Sequence, residues 1–283
     1  MRFPTPILAL GILLGGAGFV AGTFAETGAA AASDSQLDAG FHKLYELHFA
    51  DARTEITAWE KARPNDAMGP MAEAASYLFE EFYAQGVLSS DYFLDDDQLF
   101  GNKPLKPNPE RRAAFESAIG RTQKLALARL NDHPNDADAL LALAISTGMR
   151  GDYASIIEKK QFESLGRIKD ADAIATKLLA VDPSRADADL PIGAAQYIIG
   201  CLPGYKRFIL WFDGIHGDRA AGMGRLRETA EKGHYLRPFG KLLLALAALR
   251  EKQKDLARNE FQQLAAEFPG NPLFAKELAK LNR

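Results

Sequence analysis

The sequence predicts an all-α fold, an α–α superhelix of stacked helix-turn-helix pairs broken by two irregular insertions. Three observations predict it. After residue 35, apolar residues recur at helical spacing and strand-like alternation is nearly absent. Alanine, leucine, glutamate and lysine, all good helix formers, are plentiful. The helical runs are also cut by one recurring punctuation: Arg63-Pro64-Asn65-Asp66-Ala67, His133-Pro134-Asn135-Asp136-Ala137, Asp182-Pro183-Ser184-Arg185-Ala186 and Phe268-Pro269-Gly270-Asn271-Pro272. Proline cannot continue a helix, and the Asn, Asp or Ser that follows can cap the next one. Each of these marks the end of one helix pair and the start of another.

Composition sets the outer limits. The chain has 283 residues, 47% hydrophobic and 25% charged, as in an ordinary soluble globular protein, which excludes a disordered, collagenous or multi-span membrane chain. Lys and Arg number 34 against 37 Asp and Glu, a net charge of −3. No basic excess argues for nucleic acid, and no acidic excess for a polyanion mimic. The lone cysteine, Cys201, excludes an internal disulfide and any multi-cysteine zinc site.

From the amino terminus, residues 1–25 carry Arg2 beside the terminal amine, an apolar Gly-rich run from Ile7 to Ala21, and small residues suited to cleavage at Thr23-Phe24-Ala25 and Ala30-Ala31-Ala32. This is the layout of a secretory signal peptide. The run is shorter than the ~20 residues of a spanning helix. The chain is therefore expected to be exported, periplasmic or secreted, the alternative being a membrane anchor formed by an uncleaved segment. No cysteine follows the run to take a lipoprotein anchor. Residues 26–35 read as a linker, and 36–283 as one helical repeat domain. Within that domain the spacing predicts helices over 67–85, 137–149, 167–181, 186–200, 219–232, 238–250, 253–267 and 272–282.

These pairs resemble the tetratricopeptide repeat (TPR) family, a helix-turn-helix repeat of ~34 residues with small side chains at repeat positions 8 and 20, an aromatic at 24 and proline at 32. The repeat from Pro238 carries Leu244, Ala245, Ala257, Phe261 and Pro269 at positions 7, 8, 20, 24 and 32. The repeat from Ala137 carries Leu143 and Ala144, then Gly151-Asp152-Tyr153 at the expected turn. Those from Ala186 and Ala67 place Gly193 and Ala74 at position 8, and the earliest pair has Ala52 at 20 and Ile56 at 24. The repeats are degenerate: Pro64, Pro134, Pro183 and Pro269 lie 70, 49 and 86 residues apart, so every interval carries inserted residues or an extra helix. About five pairs and a closing helix are expected.

The resemblance implies a concave wall lined by the first helix of each pair and used for binding. Its positions fall on Met68, Met71, Ala75 and Leu78; Asp138, Leu141, Ile145 and Gly148; Asp187, Leu190, Ala194 and Tyr197; and Phe239, Leu242, Leu246 and Leu249. The wall lacks the Lys/Asn clamp with which some TPR modules grip a C-terminal carboxylate. An apolar wall either receives a partner helix, peptide or lipid, or is filled by the protein's own insertions. The candidate contact residues are Met71, Leu141, Ile145, Tyr197, Leu242, Leu246 and Trp211.

The first insertion, 86–107, mixes Tyr92, Phe93, Leu94, Leu99 and Phe100 with Asp91, Asp95, Asp96 and Asp97. Its acids lack the offsets of a calcium loop, so its aromatics are expected to dock on the repeats with the acids facing water. The second, 201–217, carries Tyr205, Phe208, Ile209, Leu210, Trp211 and Phe212 beside Lys206 and Arg207. Burial as a wedge inside the superhelix is the main expectation. A protein interface anchored by Trp211 and a membrane-surface contact through 205–212 are the others. The block from Leu202 to Leu226 also resembles, weakly, a signature of eukaryotic TPR proteins linked to inclusion-body clearance.

Nothing in the sequence arranges a nucleophile with a base. No two of His42, His48, His133, His216 and His234 lie four apart, so no helical zinc pair exists. His216 is the best lone candidate, and Cys201 reads as a buried, inert thiol. The expectation is a non-catalytic scaffold without cofactor or metal that binds another protein or peptide and no nucleic acid. A carrier or sensor of an apolar ligand or lipid is the alternative.

Overall fold

The computed structural model describes residues 35–212 and 214–281, and the expected signal peptide and nearly all of the linker lie outside them. Among the described residues the chain is helical and forms no strand. In order, the helices are α1 (35–45), α2 (Phe49–Ala62), α3 (Met68–Ala84), α4 (Ser90–Phe93), α5 (Asp96–Phe100), α6 (Pro109–Asp132), α7 (Ala137–Asp152), α8 (Gln161–Val181), α9 (Asp189–Cys201), α10 (Gly204–Phe212), α11 (Arg219–Lys232), α12 (Arg237–Arg250), α13 (Lys254–Glu267) and α14 (Pro272–Leu281). Helices α1/α2, α3/α6, α7/α8, α9/α11 and α12/α13 form five hairpins that pack on one another in chain order, and α14 closes the stack against α13. This is the TPR-like α–α superhelix the sequence predicts.

The proline punctuation ends the helices as expected, and an Asp or Asn accepts from the next helix at three of the four junctions; after Pro183 no side chain caps the turn that follows. Arg63, His133, Asp182 and Phe268 each precede a proline, and each leaves the helix with φ between −127° and −140°. The proline ring disfavours α geometry at the residue before it. On the far side, Asp136 accepts from the amide of Ala139, Asp66 from Met68 and Asn271 from Leu273. Each cap is worth about 1 kcal/mol.

Small residues set the helix separations. Ala52, Ala74, Ala144, Ala245 and Ala257 are all fully buried. At α9/α11 the approach needs glycine on both sides. A Cβ on Gly193 would lie 3.0 Å from the Gly222 carbonyl, and one on Gly222 2.6 Å from the Tyr197 amide. Phe261 and Ile56, the expected position-24 residues, are buried as well.

The superhelix turns sharply enough for its first hairpin to meet its last. The Tyr45 hydroxyl donates to the Tyr235 carbonyl at 3.0 Å, and Asn271 Nδ2 donates to the Tyr45 carbonyl at 2.7 Å. Rings of Tyr45, Phe79, Phe239 and Phe268 pack edge-on or tilted at 5.5–5.7 Å across the interior. One continuous core runs from α1 to α14.

Three expectations are corrected. The turn placed at Gly151-Asp152-Tyr153 is helix: α7 runs through Asp152 into a π turn at Tyr153–Ile157, and the chain reverses only at 158–160, where Lys159 takes φ 56°. The buried Tyr153 ring, stacked on Phe115 at 5.1 Å, holds the extra turn in place. Neither insertion is irregular throughout, since the first forms α4 and α5 and the second α10. Both sit between the two helices of a hairpin. The interval from Pro64 to Pro134 holds one hairpin and the first insertion, that from Pro134 to Pro183 one hairpin lengthened by the π turn, and that from Pro183 to Pro269 two hairpins and the second insertion. The third correction concerns the inner wall and the second insertion.

Candidate functional site

The inner wall is core. Met71, Leu141, Tyr197, Leu242 and Leu246 are about 1% exposed, and Ile145 5%. Six of the seven candidate contact residues therefore present no surface, and contact through them would require the stack to open. Tyr197 also spends its polar end inside: its hydroxyl lies 3.1 Å from the Ala247 carbonyl and 3.2 Å from Glu251 Oε1.

The first insertion supplies much of the filling. Tyr92, Phe93 and Leu99 are buried, and Phe93 stacks on Tyr197 at 6.3 Å with the rings 11° from parallel. Cations from three other elements hold the segment. Arg250 on α12 donates to the Phe93 carbonyl at 2.9 Å and pairs with Asp96; Lys280 on α14 pairs with Asp91 at 2.9 Å and Glu277 at 2.8 Å. Lys159 donates to the Gln98 carbonyl at 2.6 Å and the Tyr92 hydroxyl at 3.0 Å. Glu277, itself buried, accepts from the Ser90 hydroxyl. The tail of the segment is fastened by the Leu105 amide donating to the Ile157 carbonyl at 2.9 Å. The aromatics face the core and the carboxylates of Asp91 and Asp96 face water, as the sequence predicts.

The second insertion does the reverse. On a helix of 100° per residue, Tyr205, Phe208, Trp211 and Phe212 fall within an arc of about 120°, with Leu210 on the far side. Leu210 is buried with Ile199 and Ile215 in a small satellite cluster, backed by Leu165, Ile168, Ala195 and Leu202. The aromatic arc faces outward: Tyr205 is 67% exposed, Phe208 63%, Trp211 58% and Phe212 69%. The expectation of a buried wedge is thus overturned. Among the described residues of α10, Leu210 seats the helix on the stack, and the aromatic face stays exposed. Phe208 and Trp211 each pack edge-on against Phe212, at 5.0 and 5.3 Å. The exposed His216 ring stands 6.5 Å from Trp211. After α10 the chain turns back through Gly214 at φ 71°, a conformation that favours glycine.

The titratable groups do not converge on a reacting centre. Among the described residues no three His, Cys, Asp or Glu side chains cluster as metal ligands would. Burial pushes the half-buried Cys201 thiol up, away from the reactive thiolate. Burial likewise pushes Asp152 up to about 7 at the end of α7, and lowers Lys159 below the usual lysine range. Both flank the π turn that receives the first insertion.

No family model matches the chain, and no curated protein matches it. Among solved structures it is similar to a thermophilic TPR protein in Thermus thermophilus, with 13% identity and a TM-score of 0.46, over 88% of this chain and 98% of that one. The assignment of the fold rests on the hairpin packing described above.

Sequence reasoning named the aromatics of the second insertion but missed their display. The signal was the i, i+3, i+7 spacing of Tyr205, Phe208 and Phe212, which marks an amphipathic helix and leaves Leu210 alone on the opposite side.

Proposed function

We propose that the protein is an exported, non-catalytic scaffold that binds another protein or peptide by surface complementarity. The observation that carries this reading is the sealed interior of the hairpin stack. Aromatic rings fill it, and its two ends are tied together through Tyr45, Tyr235 and Asn271. Such a body recognises through its outside, as stacked repeats do when each helix pair is spent on its neighbours. The same filling argues against a carrier of an apolar ligand, because the wall that would hold the ligand is already packed. The outer helices of two successive hairpins display large apolar side chains, Leu127 on α6 and Val181 at the end of α8. Export rests on the layout of residues 1–25.

Photo-reactive residues placed singly at Leu127 and Val181 of the full chain, expressed in its own host, test the reading. A discrete protein adduct that depends on position, recovered from the envelope fraction, is expected. Adducts at neither position, or recovery of the protein from the cytosol alone, would overturn it. Co-purification of a stoichiometric lipid in native mass spectrometry would favour the carrier instead.

A further inference from the structure

We propose that α10 is a membrane-interface element: its aromatic face seats in the headgroup region of an anionic bilayer and holds the hairpin stack at that surface. The inference rests on the exported reading only in placing the chain where such a surface exists.

Three features on the molecule favour a bilayer over a protein groove. The first is the kind of side chain displayed. Tyr205, Phe208, Trp211 and Phe212 are all more than half exposed, whereas the chain's other tryptophan, Trp59, is 2% exposed. Tryptophan and tyrosine carry an apolar body with a polar tip, which suits the boundary between acyl chains and water.

The second is charge. Segment 202–212 contains Lys206 and Arg207 and no acid, in a chain whose net charge is −3, and Asp213 follows at its end. The Arg207 side chain is exposed and reaches the Gly200 carbonyl only at 3.4 Å. At 100° per residue Arg207 falls about 40° beyond the edge of the aromatic arc, and a base beside an aromatic face complements anionic lipid headgroups.

The third is area. At about 150–250 Å² for each whole aromatic side chain, and more than half of each exposed, the four offer roughly 500 Å². A stable protein interface needs about 800 Å² from each partner. A bilayer sets no such threshold, because a few interfacial aromatics and bases act together with any second contact.

The mounting fits as well. Leu210 fixes α10 to Ile199 and Ile215, and a turn at Gly214 returns the chain to α11, so the face is presented on a seated helix. No helix among the described residues is long and apolar enough to cross a membrane, so the contact made by α10 is one of lying in the interface.

The test uses the full chain and vesicles of phosphatidylcholine with or without phosphatidylglycerol, some carrying a brominated acyl chain as quencher. Trp59 is sealed in the core, so lipid quenching of fluorescence reports Trp211. The apolar run of residues 7–21 can bring protein to vesicles, but it does not by itself place Trp211 in lipid. Quenching and a blue shift are expected with anionic vesicles and much less without phosphatidylglycerol. Lys206→Gln with Arg207→Gln should weaken the anionic binding about tenfold or more. Phe208→Ser with Phe212→Ser should abolish the quenching while the melting temperature is kept.

Protein that sediments with vesicles while Trp211 stays unquenched overturns the proposal. So does a Trp211 already shielded in lipid-free solution by a dimer or by a captured protein, which would give the face to a protein partner. Failure here leaves the scaffold reading standing, since that is read by adducts at Leu127 and Val181, away from α10. Absence of those adducts leaves the vesicle result standing.

Discussion

The segments 86–107 and 201–217 are built alike and end up opposite. Each is inserted between the two helices of a hairpin, each carries four or more large apolar side chains, and each folds into short helix. The first is drawn into the superhelix; the second stands on its surface. Hydrophobicity does not separate them, and if anything the second is the more apolar. What separates them is where their polar groups find partners. In the first, Ser90, Asp91, Asp96 and the Phe93 carbonyl meet Glu277, Lys280 and Arg250 from α14 and α12. The aromatics can be buried because every polar group carried in with them is satisfied. In the second, Leu210 reaches a small apolar cluster with Ile199 and Ile215, while the aromatic arc stays exposed and the Arg207 side chain reaches the Gly200 carbonyl only at 3.4 Å. Burial of an apolar segment is thus decided by its polar escorts, since an unpaired buried charge costs more than an exposed ring.

The largest effect expected from this contrast is at Phe93. Its ring is buried against Tyr197, and its carbonyl is held by Arg250. Phe93→Ala should lower stability by about 3–5 kcal/mol, the usual cost of removing a packed aromatic. Urea unfolding followed by circular dichroism measures it. A loss no larger than that of an exposed residue would mean that the first insertion is as loosely attached as the second, and the contrast would collapse.

The fold was legible because its signals are local. Pro64, Pro134, Pro183 and Pro269 stop helices wherever the rest of the chain lies, and Ala52, Ala144 and Ala257 announce close helix contacts by their size alone. The π turn after Asp152 was not legible. It depends on Tyr153 stacking on Phe115, a residue of another helix. Which of the candidate contact residues are covered was not legible for the same reason. Leu141, Leu242 and Trp211 are all large and apolar, and nothing local says which of them the superhelix will cover. That depends on the sharpness of its turn, which is fixed by contacts such as that between Tyr45 and Tyr235, 190 positions apart.

An intermediate effect sharpens the comparison through pH. Asp152 ends α7, just before the π turn whose Ile157 carbonyl receives the tail of the first insertion. Burial pushes its carboxyl up to about 7, while in the unfolded chain it titrates near ~4. Between those values the native state keeps a proton that the unfolded state has released. The stabilising contribution of this group is therefore complete below about pH 4 and is lost as pH rises through about 7. Asp152→Asn stays neutral throughout, so the variant should gain on the wild type between about pH 4 and about pH 8. Urea midpoints at the two pH values give the difference; an equal difference at both would mean that the carboxyl is solvated and that this support of the first insertion is not buried.

The smallest effect is expected at Trp211, and it separates the two insertions most directly. By residue type alone, Trp211→Ala should cost as much as Phe93→Ala, since tryptophan has the larger ring. The structure gives the opposite order. Trp211 is 58% exposed, and its ring neighbours are Phe212 and His216, both on the surface of the same inserted segment. Among the described residues the ring contacts of Trp211 stay within the inserted segment, and an exposed ring leaves no buried cavity when it is removed. A substitution at such a position changes stability by about 0.5 kcal/mol or less. Measured side by side in urea, the two variants should differ by several kcal/mol in favour of Trp211→Ala. If the two losses were equal, the aromatic face of α10 would be packed against the stack, and the display on which its proposed membrane contact depends would not exist.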